Sequence, residues 1–398
     1  MHTWSIASRA FMVKPFLLDR YEEAFTKTLV APFAYGFYKG RVALHAILKA
    51  LEAGPGDLVV FPGFTCIMVP NAAIYLGARP VYVDIRPDTF NMDPEKLAVM
   101  LSRMKATEVR KVKAVVVQHT FGVPADLDAI TAVTEKYGIP IIEDCAHSLG
   151  SKYKGRLTGL IGAASFFSSQ WSKPYSTGLG GIAVTKDPVL ASKLRIIQGG
   201  FARPGAVENG LLAFQVFLHR RLFSPKLYWT SMKALNTLAA AGLFIGSSSR
   251  EEHDGEMPPG YGKTMGECQA EAGLQALAGL KKGIVHRKEM GRLYSGELSG
   301  KGAALRIPEG CEPVLLRYPV RVKDKDGVLL EARRRMAEVG SWFETVLHPD
   351  RDTAKAGYVK GSCPVGEEAA RHIVNLPTHP KTTASEAKRS LGLVLKAL

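Results

Sequence analysis

The sequence predicts an α/β fold in which helices cover both faces of a mostly parallel central sheet. Between about residues 40 and 200, short runs of Val and Ile alternate with stretches of helical apolar spacing. Such runs are typical of strands buried on both faces, and their alternation with helices is typical of a parallel sheet. The chain has 398 residues, 46% of them hydrophobic, which suits one large and one smaller globular domain.

The predicted helices of the first half follow the apolar period of an α-helix. The first begins after Gly40, carries apolar residues three or four positions apart and stops near Gly54-Pro55-Gly56. The others span residues 69–76, 94–102 and 126–137.

The predicted strands of the first half are four short apolar runs at 58–61, 81–85, 114–118 and 139–143. In sheets of this kind, ligands bind at the carboxyl ends of the strands. Asp84, His119 and Asp144 all lie at the carboxyl ends of these runs. The functional site is therefore expected at this edge, with His119 supporting a strand end rather than reacting.

The second half predicts a smaller C-terminal α/β domain. A break in the alternation at about 205–250 predicts an apolar helical insertion. After it, helical patterns at 267–298, 328–339 and 367–373 surround a predicted strand at 313–322. We expect a large domain over 1–260 and a small domain over 261–398.

The net charge and the cysteines limit the kinds of partner and site that the protein can have. The net charge of +15 attracts anions, but no basic cluster alternates with aromatic residues, so a nucleic-acid partner is not expected. The five cysteines are odd in number and never spaced C-x-x-C, which argues against disulfides and a metal site. Together with an N-terminus that has no signal-peptide pattern, this predicts a cytoplasmic protein.

Lys173 is the strongest candidate for a catalytic residue. About thirty residues before it, a predicted strand ends in Glu143-Asp144-Cys145-Ala146-His147, and Gly178 to Gly181 follow it as a small-residue loop. A buried acid, a lysine and a tight turn in this order suit an enzyme that holds pyridoxal 5′-phosphate (PLP) as a Schiff base. The carboxylate keeps the pyridine nitrogen protonated, and a helix N-terminus can hold the phosphate.

Several segments in matching order make the chain resemble the DegT/DnrJ/EryC1/StrS family of sugar aminotransferases. Residues 36–200 carry most of the resemblance, and much of 260–380 adds to it. The segments are Gly56-Asp-Leu-Val-Val-Phe-Pro-Gly-Phe-Thr65, Leu76-Gly-Ala-Arg-Pro-Val-Tyr-Val-Asp84, Gln118-His-Thr-Phe-Gly-Val-Pro-Ala-Asp126, Glu143-Asp-Cys-Ala-His-Ser-Leu-Gly150, 162–181 and Asn375-Leu-Pro-Thr-His-Pro380. The resemblance implies the PLP-dependent transferase fold type I and a PLP-dependent aminotransferase.

The resemblance also implies roles for single residues. Lys173 would bind PLP and move the proton during transfer, and Asp144 would pair with the pyridine nitrogen. His147, where the family usually has Gln, would hydrogen-bond the phenolic oxygen. The phosphate would be held by Ser168 and by the backbone amides of Gly40, Arg41 and Val42.

Other positions depart from the family pattern. Arg41 stands in place of a threonine, which leaves it open between a phosphate ligand and a surface charge. Cys66 stands where an aromatic residue usually stacks on the ring, and Ala163 where an aspartate is usual. Gly262-Lys263-Thr264 replaces an Asn-x-Arg segment that reaches into the neighbouring subunit, where Lys263 could still meet a phosphate.

The resemblance implies a homodimer that moves an amino group from an amino acid, with L-glutamate the usual donor, to a keto sugar. The acceptor is expected to be nucleotide-linked. A cyclitol, a lipid-linked sugar or another non-nucleotide ketone, a dehydration, and a non-catalytic regulatory role stay open as alternatives. The segment 211–245 has two interpretations, a buried helical insertion or a peripheral contact with an anionic membrane. The second rests on aromatic and basic residues, among them Tyr228, Trp229, Phe244 and Arg220.

Overall fold

The computed structural model describes residues 16–222, 237, 244–350 and 352–398. The strands are β1 (Phe33–Phe37), β2 (Leu58–Pro62), β3 (Thr65–Cys66), β4 (Arg79–Val83), β5 (Val112–Gln118), β6 (Ile141–Asp144), β7 (Lys152–Tyr153), β8 (Arg156–Leu157), β9 (Ala164–Ser168), β10 (Gly181–Thr185), β11 (Cys311–Glu312), β12 (Arg317–Arg321), β13 (Leu347–His348) and β14 (Ile373–Pro377).

The helices are α1 (Leu17–Leu29), α2 (Gly40–Ala50), α3 (Met68–Ile74), α4 (Pro94–Arg103), α5 (Ala106–Val109), α6 (Leu127–Thr134), α7 (Pro188–Gly200), α8 (Ala206–Leu222), α9 (Arg250–His253), α10 (Glu267–Ala278), α11 (Leu280–Ser299), α12 (Lys325–Arg334), α13 (Pro364–His372) and α14 (Ala384–Leu395). Short 3₁₀ turns lie at Thr120–Gly122, Glu135–Tyr137 and Thr353–Ala356.

The central sheet has seven strands in the order β1-β10-β9-β6-β5-β2-β4. The pairs from β9 to β4 are parallel, whereas β10 runs antiparallel to both of its neighbours. The predicted mostly parallel sheet is therefore confirmed. The carboxyl ends of β5, β6 and β9 meet at one edge, and the loop that carries Lys173 leaves the sheet there.

Alternating residues of the central strands bury two separate cores, one on each face of the sheet. Val59 and Phe61 face a core that includes apolar residues of α2, α3 and α7. Leu58 and Val60 face a second core that includes residues of α4 and α6. Because successive strand residues point to opposite faces, helices must cover both sides, as predicted.

The helix N-termini differ in how they are capped. Asp93 accepts hydrogen bonds from the backbone amides of Glu95 and Lys96 at the start of α4, and Asp187 caps α7 in the same way. Each cap is followed by a proline, which suits the first helical position. The residue before α2 is Lys39, which provides no side-chain cap, and the first turn of α2 has no acidic residue.

The C-terminal part builds its own apolar core around the antiparallel pair β12 and β14. Two helices there are shorter than the sequence predicts. The pattern at 267–298 forms two helices separated at Gly279, and α10 packs on α1 so closely that a Cβ at Gly273 would lie 2.3 Å from Tyr21. The helix predicted at 328–339 ends at Arg334, and Met336 has a φ of +53°, which is incompatible with a continuing helix.

Candidate active site

Lys173 lies in the loop between β9 and β10 and is partly buried. Its backbone amide donates to the carbonyl oxygen of Gln170 at 2.9 Å, and its ammonium nitrogen lies 4.7 Å from the ring centroid of Trp342. Burial lowers the pKa of Lys173 to about 8; nearby Cys66 and Asp144 raise it, and Arg317 lowers it further. A lysine with this pKa is partly neutral near physiological pH and can act as a nucleophile or a base.

The glycines after Lys173 are required by close contacts. Gly178 has a φ of +84°, a conformation that side-chain-bearing residues rarely adopt. A Cβ at Gly181 would lie 2.4 Å from the carbonyl oxygen of Lys39, and one at Gly40 would lie 2.8 Å from the Cβ of Ser168. The loop therefore packs directly on the start of α2.

Asp144 ends β6 and is buried. Its Oδ1 accepts a hydrogen bond from the amide of Ala146 at 2.9 Å. Burial raises the pKa of Asp144 to about 6, while the Ala146 amide, Lys173 and His119 act in the opposite direction. At pH 7 the carboxylate is mostly ionised, so it can face a protonated pyridine nitrogen.

His147 is buried beside Lys173 and packs on aromatic rings. Its ring lies 5.4 Å from that of Trp342 in a stacked arrangement. Its Nδ1 accepts a hydrogen bond from the amide of Phe121 at 3.3 Å. Burial, with Lys173 next, lowers the pKa of His147, so the neutral ring carries its proton on Nε2 and can donate it to an oxygen acceptor.

Ser168 and Gly40, both predicted to hold the phosphate, lie against each other at the start of α2. The amides at the start of a helix, with no acidic side chain to cap them, form an anion-binding site. Arg41 is placed differently. Its Nε lies 2.8 Å from Oε1 of the buried Glu252, and its Nη2 donates to the carbonyl oxygen of Ser247.

Two other predicted contacts lie near the cradle and the reacting amine. Lys263 is held by Glu208, with Nζ 2.9 Å and 3.0 Å from the two carboxylate oxygens. Cys66 lies beside Lys173 and Asp144, and burial raises the pKa of its thiol. Its strand β3 pairs in parallel with β13, which brings His348 opposite Cys66.

Three residues of the C-terminal half enter the site without having been predicted: Arg317, Trp342 and His348. Burial lowers the pKa of His348 to about 3, and Lys325, Lys173 and Arg317 lower it too. Trp342 contacts both Lys173 and His147, so an aromatic ring lies beside the two predicted cofactor contacts. These residues are between 144 and 175 positions from Lys173 along the chain, and no local motif marks them.

Two acids near the strand ends have structural roles. Glu143 accepts hydrogen bonds from the amides of Gly159, Ile161 and Gly162, each at 2.7 Å, and from Nε2 of His119 at 3.0 Å. Cys145 lies close enough to His119 and Glu143 for a three-ligand metal group, but these hydrogen bonds already occupy the carboxylate and imidazole atoms. Asp84 likewise accepts from the amides of Val365 and Gly366 at the start of α13.

The residues present fit PLP. A lysine of lowered pKa, a buried carboxylate, an imidazole with a free N–H and an uncapped helix N-terminus next to a serine supply one partner for each polar group of the cofactor. Ser168 and the amides of α2 would hold the phosphate, and Asp144 would face the pyridine nitrogen.

The pKa of Lys173 predicts how PLP attachment depends on pH. Only the neutral amine attacks an aldehyde, and at pH 7 a group of pKa 8 is about one-tenth neutral, against about one part in 2,500 for a free lysine. Covalent attachment of PLP to the cofactor-free protein should therefore rise with pH, with a midpoint near 8. Absorbance titration with Lys173→Ala as the blank measures this, and a midpoint near 10 would show that burial does not tune the lysine.

Comparison with known proteins relates this geometry to one family. A sequence model of the DegT/DnrJ/EryC1/StrS aminotransferase family matches residues 6–394. A UDP-2-acetamido-2-deoxy-3-oxo-D-glucuronate aminotransferase from Pseudomonas aeruginosa is 30% identical over 362 residues, which cover 90% of this chain and 84% of that protein. A pleiotropic regulatory protein from Geobacillus stearothermophilus is 26% identical over 358 residues, 88% of this chain and 81% of that protein.

A solved structure shares the fold. The crystal structure of a DegT/DnrJ/EryC1/StrS aminotransferase from Brucella abortus superimposes with a TM-score of 0.74 at 24% identity, over 96% of this chain and 90% of that one. A likeness at this level confirms the predicted PLP-dependent transferase fold type I.

Proposed function

Because the chain belongs to the DegT/DnrJ/EryC1/StrS aminotransferase family, we propose that it moves an amino group from L-glutamate to a nucleotide-linked keto sugar. The family uses PLP, and the chain is a PLP-dependent aminotransferase. The donor and the acceptor are the proposed part. The observation that carries the proposal is the partly buried Lys173, of lowered pKa, beside the buried Asp144.

Bound PLP supplies an electron sink that makes the Cα–H bond of the amino acid acidic. In our proposal, the neutral amine of Lys173 would take the Cα proton of the amino acid in the donor half-reaction. In the acceptor half-reaction it would deliver a proton to the carbon of the sugar that carried the keto group. Asp144 keeps the pyridine nitrogen protonated, and the Nε2–H of His147 hydrogen-bonds the phenolic oxygen. Ser168 and the amides of Gly40, Arg41 and Val42 hold the phosphate.

Two observations support a nucleotide-linked acceptor. The Pseudomonas relative is named for a UDP-linked 3-oxo sugar. The net charge of +15 gives the protein a positive field that attracts a diphosphate. Incubation of the loaded enzyme with L-glutamate and a panel of nucleotide-linked and free keto sugars tests the proposal. Amination of free sugars or cyclitols alone would replace it with the non-nucleotide alternative.

We also propose a homodimer with Lys263 of one subunit near the partner's phosphate. Within one subunit Lys263 is paired with Glu208, so its ammonium group must share or leave this carboxylate before it can contact a phosphate in the neighbouring subunit.

All five cysteines are free thiols, which supports a reducing compartment, and we propose the cytoplasm.

A peripheral membrane contact is proposed for the segment 211–245. Phe214 and Phe217 of α8 are more than half exposed, and so is Val207 in the first turn of the same helix. Tyr228 and Trp229, on which this hypothesis also rests, lie outside the described residues, as do Lys226 and Lys233. Within the described part of the chain, no helix combines the length and apolar character needed to cross a bilayer.

Flotation with vesicles that contain phosphatidylglycerol tests this contact. The protein should float with these vesicles and stay unbound with neutral ones, because basic residues attract anionic headgroups and apolar side chains insert between them. The double change Phe214→Ser and Phe217→Ser should abolish flotation, whereas the matched change of exposed Val189→Ser on α7 should not. If all three proteins stay in the vesicle-free fraction when phosphatidylglycerol vesicles are present, the membrane contact is excluded.

A regulatory role is the second candidate, since one relative carries the name of a regulatory protein. The retained Lys173 and Asp144 favour catalysis. Formation of 2-oxoglutarate from L-glutamate would support the aminotransferase, and its absence would support the regulatory role.

A further inference from the structure

Arg317 lies at the edge of the active site and has no acidic partner among the residues that the structure describes. It begins β12, and its guanidinium carbon lies 5.1 Å from the ring centroid of Trp342. Its Nε is buried without a hydrogen-bond partner, and no carboxylate lies within 4.0 Å of it among the residues that the structure describes. Arg317 is partly exposed, and a buried polar atom without a partner is costly unless a ligand or a solvent molecule meets it.

A second arginine lies directly behind the first. Arg287 is buried, and its Nη1 donates to the carbonyl oxygens of Leu315 and Leu316, the two residues before Arg317. Burial, and then Arg317, lowers the pKa of Arg287 to about 10. Arg287 therefore holds the strand end in place and adds positive charge that the fold does not neutralise there.

Asn375 supplies an unpartnered amide next to Arg317. Its side chain is 0% exposed, yet neither its Oδ1 nor its Nδ2 has a hydrogen-bond partner in the described part of the chain. The backbones of Asn375 and Gly340 exchange hydrogen bonds of 2.8 Å and 2.9 Å. A Cβ at Gly340 would lie 2.9 Å from Nη1 of Arg317 and 3.5 Å from Oδ1 of Asn375, so the glycine allows the backbone to pass close to both groups.

These groups adjoin the reacting amine. The ring of Trp342 contacts both the guanidinium of Arg317 and the ammonium of Lys173. We propose that Arg317 and Asn375 form the subsite that receives a carboxylate of the substrate, an inference that rests on the amino transfer proposed at Lys173. A guanidinium binds a carboxylate through two parallel hydrogen bonds, and the amide N–H of Asn375 adds a third donor.

Two substrates could bring this carboxylate. One is the amino-acid donor, and the other is a uronic-acid acceptor, of the kind named for the Pseudomonas relative. The chemistry recognised is the same in both cases, and the two half-reactions distinguish them.

The test compares wild-type holoenzyme with Arg317→Gln in each half-reaction. If the donor carboxylate binds here, the concentration of L-glutamate for half-maximal single-turnover rate rises about 10- to 100-fold, the usual effect of losing charge-assisted hydrogen bonds. If the donor half-reaction is unchanged and the half-maximal concentration of a uronate acceptor rises by a similar factor, the subsite binds the acceptor. Arg317→Lys should show a smaller loss than Arg317→Gln, because lysine keeps the positive charge. Arg321→Gln, at the exposed end of the same strand, should change neither half-reaction.

A binding measurement keeps this inference separate from the proposed function. Calorimetry on wild-type protein without cofactor should show glutarate binding at least about tenfold more tightly than glutaramide, with the preference lost in Arg317→Gln. Equal affinities, or half-reactions that Arg317→Gln leaves unchanged, would overturn the carboxylate subsite. Absence of amino transfer by wild-type protein that still prefers glutarate would instead overturn only the proposed function. The comparison of glutarate with glutaramide uses wild-type protein only, so it still decides the proposal if Arg317→Gln folds poorly.

Discussion

Replacing Lys173 by alanine is expected to abolish amino transfer. In our proposal the change removes both the amine that binds PLP and the base that moves the proton, and positioned proton transfer alone contributes about 10²- to 10⁴-fold to a rate. The visible absorbance of the lysine-bound cofactor should disappear with it. Steady-state rates and absorbance spectra of the purified variant measure both effects.

The control for this change is Lys186→Ala. Lys186 is exposed just after β10, so its replacement should leave the rate and the spectrum as they are in the wild type. A Lys173→Ala protein that retains the visible band, or transfers amino groups at more than a few per cent of the wild-type rate, would show that another amine binds PLP.

Replacing Asp144 by asparagine is expected to have the second largest effect. Asparagine keeps the size of the side chain but removes the negative charge, so the pyridine nitrogen is no longer held protonated. Removing one preorganised electrostatic contact in an active site costs about 10²- to 10³-fold in rate, and we expect a loss of this size together with weaker PLP binding. Rate measurements at saturating PLP separate the two effects.

Asp128→Asn provides the matched control. Asp128 is exposed and bonded to Lys154 at the surface, where an ion pair contributes about 0–1 kcal/mol. Its replacement should change neither rate nor cofactor affinity. Full activity of Asp144→Asn would mean that the buried carboxylate does not act on the ring.

The parallel half of the sheet could be predicted because each strand and helix there has a strong local signal. The apolar runs at 58–61 and 114–118 lie within β2 and β5, and the helix predicted after Gly40 is α2. The strands on either side of Lys173, β9 and β10, were not predicted as strands. Each strand has only two or three strand-forming residues among Ala, Ser and Gly, so neither forms a continuous apolar run, and their pairing with each other and of β10 with β1 defines them.

The residues that the central sheet contributes to the candidate site could be predicted, whereas those that the C-terminal half contributes could not. Lys173, Asp144 and His147 stand in one ordered pattern, and the structure brings them together. Arg317 and Trp342 come from β12 and from a loop far along the chain, and neither stands in a motif. Arg41 shows the converse limit, since its partner Glu252 is 211 positions away and only the fold reveals the pair.

Single-turnover reaction of the PLP-loaded wild-type protein with ¹⁵N-labelled L-glutamate tests the central claim most directly. We predict one equivalent of 2-oxoglutarate per lysine-bound cofactor, loss of the visible band, and delivery of ¹⁵N to an added keto sugar. A visible band that stays unchanged, with no oxo acid formed from L-glutamate or from any other proteinogenic amino acid, would contradict it.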